Sequence, residues 1–126
     1  MAPNLTPLEL EIMKILWRDG ASNVQSVRDR LAGEGRDLAY NSVQTMLIVL
    51  LRKGHVRRKR IGRAFEYAPR AGRAQAARQA IADLIERMFD GSSESLVLSL
   101  IDAKRMTPSR LAALASELEE DREGKG

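Results

Sequence analysis

Apolar residues recur every three or four positions near the start of the chain, which is the spacing of an amphipathic helix. Thr6 is placed to cap this helix, and Pro7 suits its first turn because no intrahelical hydrogen bond is lost there. Glu9 stands three residues after Thr6, so the two side chains can form a capping box. Gly20 ends the pattern. A first helix is therefore predicted between Thr6 and Gly20, with a buried stripe of Leu8, Ile12, Ile15 and Leu16.

A second, shorter helix is predicted after Gly20. Ser22 and Gln25 again have the spacing of a capping box, and Gly33 and Gly35 end the apolar pattern. The face expected to be buried consists of Val24, Val27 and Leu31.

A third helix is predicted from about Ala39 to Lys53, ending at Gly54. Its start is less sharply marked, since either Asp37 or Asn41 could supply the cap. The inward face is expected to contain Val43, Met46, Leu47, Leu50 and Leu51. The outward face of the first half carries uncharged residues, most of which can form hydrogen bonds. These outward residues are Tyr40, Asn41, Ser42, Gln44, Thr45 and Ile48.

The apolar period changes after Gly54, which indicates β-structure. Residues 56–60 and 64–68 are predicted to form two strands, with residues 61–63 as the turn and Pro69 closing the second strand. Three helices followed by a two-stranded hairpin make a winged helix-turn-helix. The predicted fold class is thus mainly α with a small β-hairpin, and residues 1–70 are expected to form the winged-helix domain.

The remainder of the chain is predicted to be helical. Residues 74–88 are alanine-rich, residues 96–101 are almost wholly apolar, and residues 107–108 start a last helix whose charged tail, 119–126, is expected to fray. These short helices carry more apolar surface than they can cover themselves, so residues 71–126 are expected to form a two-fold homodimer. The side chains predicted at that interface are Ile81, Leu84, Ile85, Met88, Leu96, Leu100, Leu111, Leu114 and Leu118.

Composition narrows the function classes. The 126 residues are 44% hydrophobic and 30% charged, which is typical of a folded globular chain. There is no cysteine, so disulfide frameworks and thiolate metal sites are excluded. The first residues lack the pattern of a signal peptide, and no apolar run approaches the roughly 18 residues of a membrane span. A cytoplasmic protein without a membrane segment is expected.

Charge is distributed unevenly along the chain. Residues 1–69 contain 12 Lys and Arg against 7 Asp and Glu, whereas residues 70–126 contain 9 against 10. Between Arg52 and Arg63 there are seven basic residues and no acidic one. A positive field confined to the winged-helix half favours a nucleic-acid partner for that half.

A polar helix face beside a basic hairpin predicts a reader of double-stranded DNA. Uncharged hydrogen-bonding side chains can distinguish base pairs in the major groove, and cations can hold phosphates. Gln44 and Thr45 are expected at base edges, with Asn41 and Ser42 near phosphates or bases. Ile48 of the same helix is also expected to contact DNA. The side chains expected to bind phosphates are Arg52, Arg58, Lys59, Arg60 and Arg63. Because side chains alternate along a strand, these cations cannot all face DNA.

Other interpretations remain open from the residues alone. The basic hairpin could only keep an exposed strand edge soluble, and the polar helix face could simply be solvated. The winged helix could be a scaffold for a protein-interaction module, or the dimer interface could bind a small molecule. An enzyme is disfavoured, because the only histidine, His55, lies in a segment crowded with cations and no glycine-rich phosphate loop is present. No metal or other cofactor is expected.

Several blocks together resemble the penicillinase repressor family, the bacterial regulators of β-lactamase and methicillin resistance. Residues 5–17 are similar to its first helix, 40–47 to its recognition helix and 62–69 to its wing, while 95–98 with 107–108 are similar to its dimerisation region. The resemblance extends over roughly residues 5 to 120. It implies a homodimeric repressor that binds a palindromic operator, with each recognition helix in a major groove and each wing along the backbone. Successive grooves on one face of DNA lie about 34 Å apart.

Two positions depart from the family pattern. Val49 stands where members often have arginine, so operator preference is expected to differ. In the β-lactam-responsive members, an inducing protease cuts an Asn-Phe bond in the dimerisation region. The matching pair here is Ser99 and Leu100, which makes that bond the candidate cleavage site and leaves the inducing signal open.

Overall fold

The computed structural model describes residues 4–125, and within that range six helices accompany a small antiparallel sheet. The elements in chain order are α1 (Pro7–Asp19), β1 (Ser22–Asn23), α2 (Val24–Gly33), α3 (Tyr40–Lys53), β2 (Val56–Ile61), β3 (Ala64–Pro69), α4 (Arg73–Met88), α5 (Ser93–Asp102) and α6 (Pro108–Lys125). The predicted fold class, mainly α with a small β-hairpin, is confirmed. None of the described helices combines the length and the apolar character that crossing a bilayer requires.

The start of α1 has the predicted capping box. The Thr6 hydroxyl accepts a hydrogen bond from the Glu9 amide at 3.2 Å, and the Glu9 carboxylate accepts one from the Thr6 amide at 2.8 Å. Two backbone N–H groups that have no carbonyl partner within the helix are thereby hydrogen-bonded to side-chain oxygens. The helix ends at Gly20, whose φ of +83° few other residues adopt at low cost. The predicted limits of this helix are confirmed.

The cap predicted for α2 is wrong by one residue. Asn23, rather than Ser22, accepts the amide hydrogen bond of Ser26, at 2.8 Å. Ser22 instead pairs with Tyr67, so that β1 becomes a third strand beside β3. The expected Ser22–Gln25 box does not form because the helix starts one residue later, and the Ser22 hydroxyl donates to the Gly20 carbonyl at 3.0 Å and accepts from Arg30 at 3.3 Å. The predicted two-stranded hairpin is therefore the larger part of a three-stranded sheet in the order β1-β3-β2.

The third helix begins without a side-chain cap. Its N-cap is Ala39, so neither Asp37 nor Asn41 plays the capping role considered for it. At the other end, Gly54 adopts a left-handed conformation with φ of +86°, which terminates the helix. The predicted inward face is confirmed, since Val43, Leu47 and Leu50 are fully buried and Met46 and Leu51 are partly buried against the same core.

The wing, formed by β2, β3 and their turn, has a tighter turn than predicted. Ile61 pairs with Ala64, so only Gly62 and Arg63 connect the strands. Gly62 has φ of +63°, as the first central position of a type II′ hairpin turn requires. Val56 and Tyr67 point into the core shared by α1, α2, α3 and the sheet, and the wing is thus fixed to the helices at its base.

The C-terminal helices follow the predicted pattern with one correction. The apolar residues 96–101 lie within α5, whose N-cap Ser92 accepts the Ser95 amide at 3.1 Å. The charged tail expected to fray from residue 119 is helical as far as Lys125, because Glu, Arg and Lys tolerate helical conformation well. Residue 126 of that expectation lies outside the described residues.

The chain divides into two compact units between Ala80 and Ile81, inside α4. The first two turns of α4 therefore belong to the winged-helix unit and the remainder to the C-terminal unit. The domain boundary expected at residue 70 lies earlier, in the short connection between β3 and α4.

Candidate nucleic-acid interface

One face of α3 is both exposed and polar. Asn41, Gln44 and Thr45 are exposed and Ile48 is half-buried. At 3.6 residues per turn these four side chains lie within about 100° of one another around the helix axis. Their band is opposite the fully buried Val43, Leu47 and Leu50. The helix thus presents a row of hydrogen-bonding groups on the side away from the core.

Arg52 continues the same face into the last turn of α3. It is exposed and follows Asn41 by eleven residues, which is about 16 Å along the helix axis. The exposed Ser42 and the half-buried Val49 share a flank about 90° from the centre of the band. Ser42 is therefore better placed for a backbone contact beside the helix than for a base edge beneath it.

The basic side chains of the wing are divided between its two faces, as the alternation of a strand predicts. Arg58 lies opposite Tyr67 and Arg60 opposite Phe65, so both arginines share the aromatic face. Lys59 lies on the other face, opposite Glu66, together with Arg57. Arg63 is in the exposed turn.

Aromatic contacts hold one of the wing arginines. The guanidinium carbon of Arg58 lies 4.0 Å from the centre of the Phe65 ring, a favourable cation–π distance. Arg58 also donates a hydrogen bond to the Tyr67 hydroxyl at 3.4 Å. Arg60 is 5.8 Å from the same ring and makes the looser contact. Arg58 is therefore partly oriented before any ligand arrives, whereas Arg60 keeps more rotational freedom.

Six cations at the end of α3 and on the wing have no acidic partner among the described residues. Among residues 4–125, no carboxylate lies within 4.0 Å of any of the six, although other cations of the same unit form ion pairs. We call these six residues the basic surface: Arg52, Arg57, Arg58, Lys59, Arg60 and Arg63. The paired cations of the unit are Arg18, Arg30, Arg36 and Lys53. These six cations lie together at the end of α3 and on the wing, where an external polyanion can neutralise them.

Lys53 belongs to the basic stretch of the sequence but has a structural role. Its ammonium nitrogen lies 2.8 Å and 3.0 Å from the two carboxylate oxygens of Glu9, which is only 5% exposed. Burial raises the pKa of Glu9, but the hydrogen bonds from Lys53 and Thr6 outweigh burial and hold that pKa below its ordinary value. The pair fastens the end of α3 to the start of α1. The capping spacing of Glu9 was visible in the sequence, but this partner 44 residues away was not.

The paired cations away from the basic surface also have clear partners. Arg18 donates to Asp19 and Glu34 at about 3.0 Å, and these contacts raise the pKa of its guanidinium. The hydrogen bond from Arg18 lowers the pKa of Asp19 in turn.

Within the described range, no three His, Asp or Glu side chains are placed together to hold a metal ion.

Most of the predicted interface side chains of the C-terminal unit are solvent-exposed in one chain. Met88 is 71% exposed, Leu118 67% and Ile81 50%. Leu98, which the prediction omitted, is 66% exposed. Leu84, Leu100 and Leu111 are also exposed, while Ile85, Leu96 and Leu114 are half-buried. Ser99 is exposed beside Leu100 in the second half of α5, so the candidate cleavage bond lies in a helix.

The three helices, the three-stranded sheet and the basic wing define a winged helix-turn-helix protein. The chain belongs to the penicillinase repressor family, whose family model matches residues 5–120, and the predicted resemblance is thereby confirmed. It is 26% identical to the penicillinase repressor of Bacillus licheniformis over 98% of this chain and 95% of that protein. It is 35% identical to the transcriptional regulator BlaI of Mycobacterium tuberculosis over 75% of this chain and 68% of that protein.

A solved structure supports the same assignment. The solution structure of the Bacillus licheniformis BlaI monomeric form, in complex with the blaP half-operator, has a TM-score of 0.50 and 30% sequence identity. The match covers 59% of this chain and 89% of that chain.

Proposed function

We propose that this protein is a homodimeric transcriptional repressor that binds a palindromic DNA operator. The observation that carries the proposal is the continuity of the exposed polar face of α3 with the uncompensated basic surface. Membership in a family of repressors supports it, as does the similarity to a protein solved with a half-operator. We place its action in the cytoplasm, with the DNA.

In the proposed complex α3 lies in the major groove. A helix with its side chains is about 10–12 Å across, which matches the groove width of about 12 Å. Gln44 and Thr45 lie on the two sides of the exposed band, midway along it between Asn41 and Ile48, and read base edges. Asn41 in the first turn and Ser42 on the flank lie nearer the backbone. Ile48 supplies an apolar contact, for which a thymine methyl group is the suitable partner.

The basic surface binds phosphates in this proposal. Arg52 continues the line of α3, and Arg63 extends the wing at its turn. Only one face of the wing can meet the DNA at a time, so either the Arg58 and Arg60 side or the Lys59 side makes the main contact. Each phosphate that is neutralised releases condensed counterions, which makes the affinity dependent on salt.

The apolar side chains of the C-terminal unit supply the second half of the proposal. A two-fold dimer would cover them and present two copies of α3 to the two halves of a palindrome. The relative solved with a half-operator was bound as a monomer, which is consistent with one chain reading one half-site. The gain in DNA affinity on dimerisation then comes from linking two such half-site contacts in one complex.

Relief of repression is proposed to occur in the C-terminal unit. Ser99 and Leu100 occupy the position of the bond that an inducing protease cuts in the β-lactam-responsive members. Because both residues are helical here, α5 must unwind locally before a protease can cut between them. As the relatives named for penicillinase and methicillin resistance do, this protein is proposed to regulate antibiotic-resistance genes.

The alternative is a protein-interaction scaffold without sequence-specific DNA binding, which the exposed apolar helices favour. Selection of bound fragments from genomic DNA tests the proposal and supplies the operator. A repressor with about 6–10 phosphate contacts should then lose roughly 10³ to 10⁵ in affinity between 50 and 200 mM salt. Recovery of no enriched fragment, together with a flat salt response, would favour the scaffold.

A further inference from the structure

The connection between β3 and α4 is held closely to the winged-helix unit. The Arg70 amide donates to the His55 carbonyl at 3.0 Å, and the Arg70 side chain donates to the Val56 carbonyl at 3.3 Å. The indole N–H of Trp17 donates to the Ala71 carbonyl at 3.0 Å. Three hydrogen bonds thus restrain two consecutive residues immediately before α4.

Trp17 is well suited to hold this connection. It is the only tryptophan of the chain, lies near the end of α1, and packs half-buried against the hydrophobic core. Its ring position is fixed by that core, and its single N–H is directed at a carbonyl 54 residues away. The next carbonyl, that of Gly72, accepts the first-turn amide of Ala76 at 3.0 Å. The indole therefore acts one residue before α4 begins its own hydrogen bonding.

A small change at this point has a large effect further along α4. The helix has 16 residues and contains neither proline nor glycine, so its length is about 24 Å and no residue in it interrupts the helical hydrogen bonding. A tilt of 10° at its first turn displaces its last turn by about 4 Å at that length. A restraint at residue 71 therefore acts on the direction of α4 at the point where this helix begins.

We propose that Trp17 is a positioning residue, whose indole N–H fixes the start of α4 relative to α3 and thereby couples the two half-site contacts of the dimer. The inference rests on the proposed function, because it concerns how two DNA-reading units are held together. Trp17 contacts no DNA in this account. Its loss should leave the reading of one half-site intact while weakening the simultaneous reading of two.

The first experiment needs no DNA. Exchange of the Trp17 indole proton is followed by NMR in the unaltered protein, together with the amides of the first two turns of α4. The indole proton should exchange at least about ten-fold more slowly than that of free tryptophan, because exchange requires the hydrogen bond to open. Exchange at the free rate would overturn the proposal, whatever the protein binds.

The second experiment compares two variants. Trp17→Phe keeps an aromatic ring in the core and removes the N–H donor. Gly72→Ala is the matched control in the same connection, since an added Cβ there meets no atom within 4 Å and the residue has no positive φ. Both are measured on the full operator and on a single half-site, chosen from the selected genomic fragments.

Trp17→Phe should bind the half-site within about two-fold of the unaltered protein and the full operator about ten-fold more weakly. Once one winged-helix unit of the dimer is bound, the other is directed less well at the second half-site, so its effective concentration there is lower. Gly72→Ala should match the unaltered protein on both DNAs. Equal weakening of Trp17→Phe on both DNAs would assign Trp17 a purely structural role and overturn the proposal, as would unchanged full-operator binding. If the unaltered protein binds neither DNA, the proposed function fails, and the exchange experiment still decides whether the restraint exists.

Discussion

Replacing Glu9 with glutamine should destabilise the winged-helix unit by about 2 kcal/mol at neutral pH. The carboxylate is 5% exposed and accepts hydrogen bonds from the Lys53 ammonium at 2.8 and 3.0 Å and from the Thr6 amide at 2.8 Å. Hydrogen bonds to charged groups contribute about 1.5–3 kcal/mol each, but glutamine keeps one acceptor oxygen. Lys53 is 25% exposed, so water can reach its ammonium after the change, and this lowers the cost.

The assay is urea unfolding at fixed protein concentration, in which 2 kcal/mol moves the midpoint by about 1 M for an ordinary m-value. Glu11→Gln in the same helix is the matched control. Glu11 pairs with Arg36 at 3.2 Å, but the two side chains are 35% and 54% exposed, so this change should cost less than about 1 kcal/mol. The contrast between two glutamates two residues apart isolates the effect of the buried pair.

The pH dependence follows from the lowered pKa of Glu9. A carboxyl whose pKa is lower in the folded state than in the unfolded state stabilises the fold above the unfolded pKa. That stability is lost as pH falls through the folded pKa. The difference between the unaltered protein and Glu9→Gln should therefore be full at pH 7 and shrink at acid pH. A cost below about 0.5 kcal/mol at pH 7, or a difference that stays constant into acid, would contradict the structural role given to the pair.

Three further changes test the interface. Gln44→Ala should reduce the preference for operator over scrambled duplex by about 1–3 kcal/mol with an unchanged salt slope; equal losses on both DNAs would remove Gln44 from base reading. Arg60→Ala should flatten the plot of log affinity against log salt by about one unit, whereas Arg18→Ala, whose cation is already paired with two carboxylates, should not. An unchanged slope for Arg60→Ala would assign the phosphate contact to the Lys59 face of the wing. Leu100→Asp should produce monomers in sedimentation, and a persistent dimer would place Leu100 outside the interface.

Local signals in the sequence predicted the helices well. The capping box of Thr6 and Glu9 and the left-handed Gly54 depend only on neighbouring residues, so spacing was enough to find them. The inward face of α3 could be predicted equally well, because Val43 and Leu47 are about one helical turn apart and both face the core, whereas Gln44 is rotated by about 100° from Val43 and is exposed.

Features that depend on distant residues could not be predicted in the same way. Ser22 had the spacing of a cap but pairs with Tyr67, and no local pattern announces a two-residue strand. Lys53 looked like one more cation of the basic stretch until its partner Glu9 was placed beside it. The sequence predicted that the wing cations divide between two faces, but the contact of Arg58 with Phe65 required the strand register.

The claim that most needs a direct test is that two chains together read one symmetric DNA site. Fluorescence anisotropy of a labelled operator, beside a scrambled duplex of equal length, gives both the preference and the number of chains bound. Two chains per operator and a preference of roughly 10³ or more over the scrambled duplex are the predicted results. Equal affinity for both duplexes, or one chain saturating the full operator, would contradict the account.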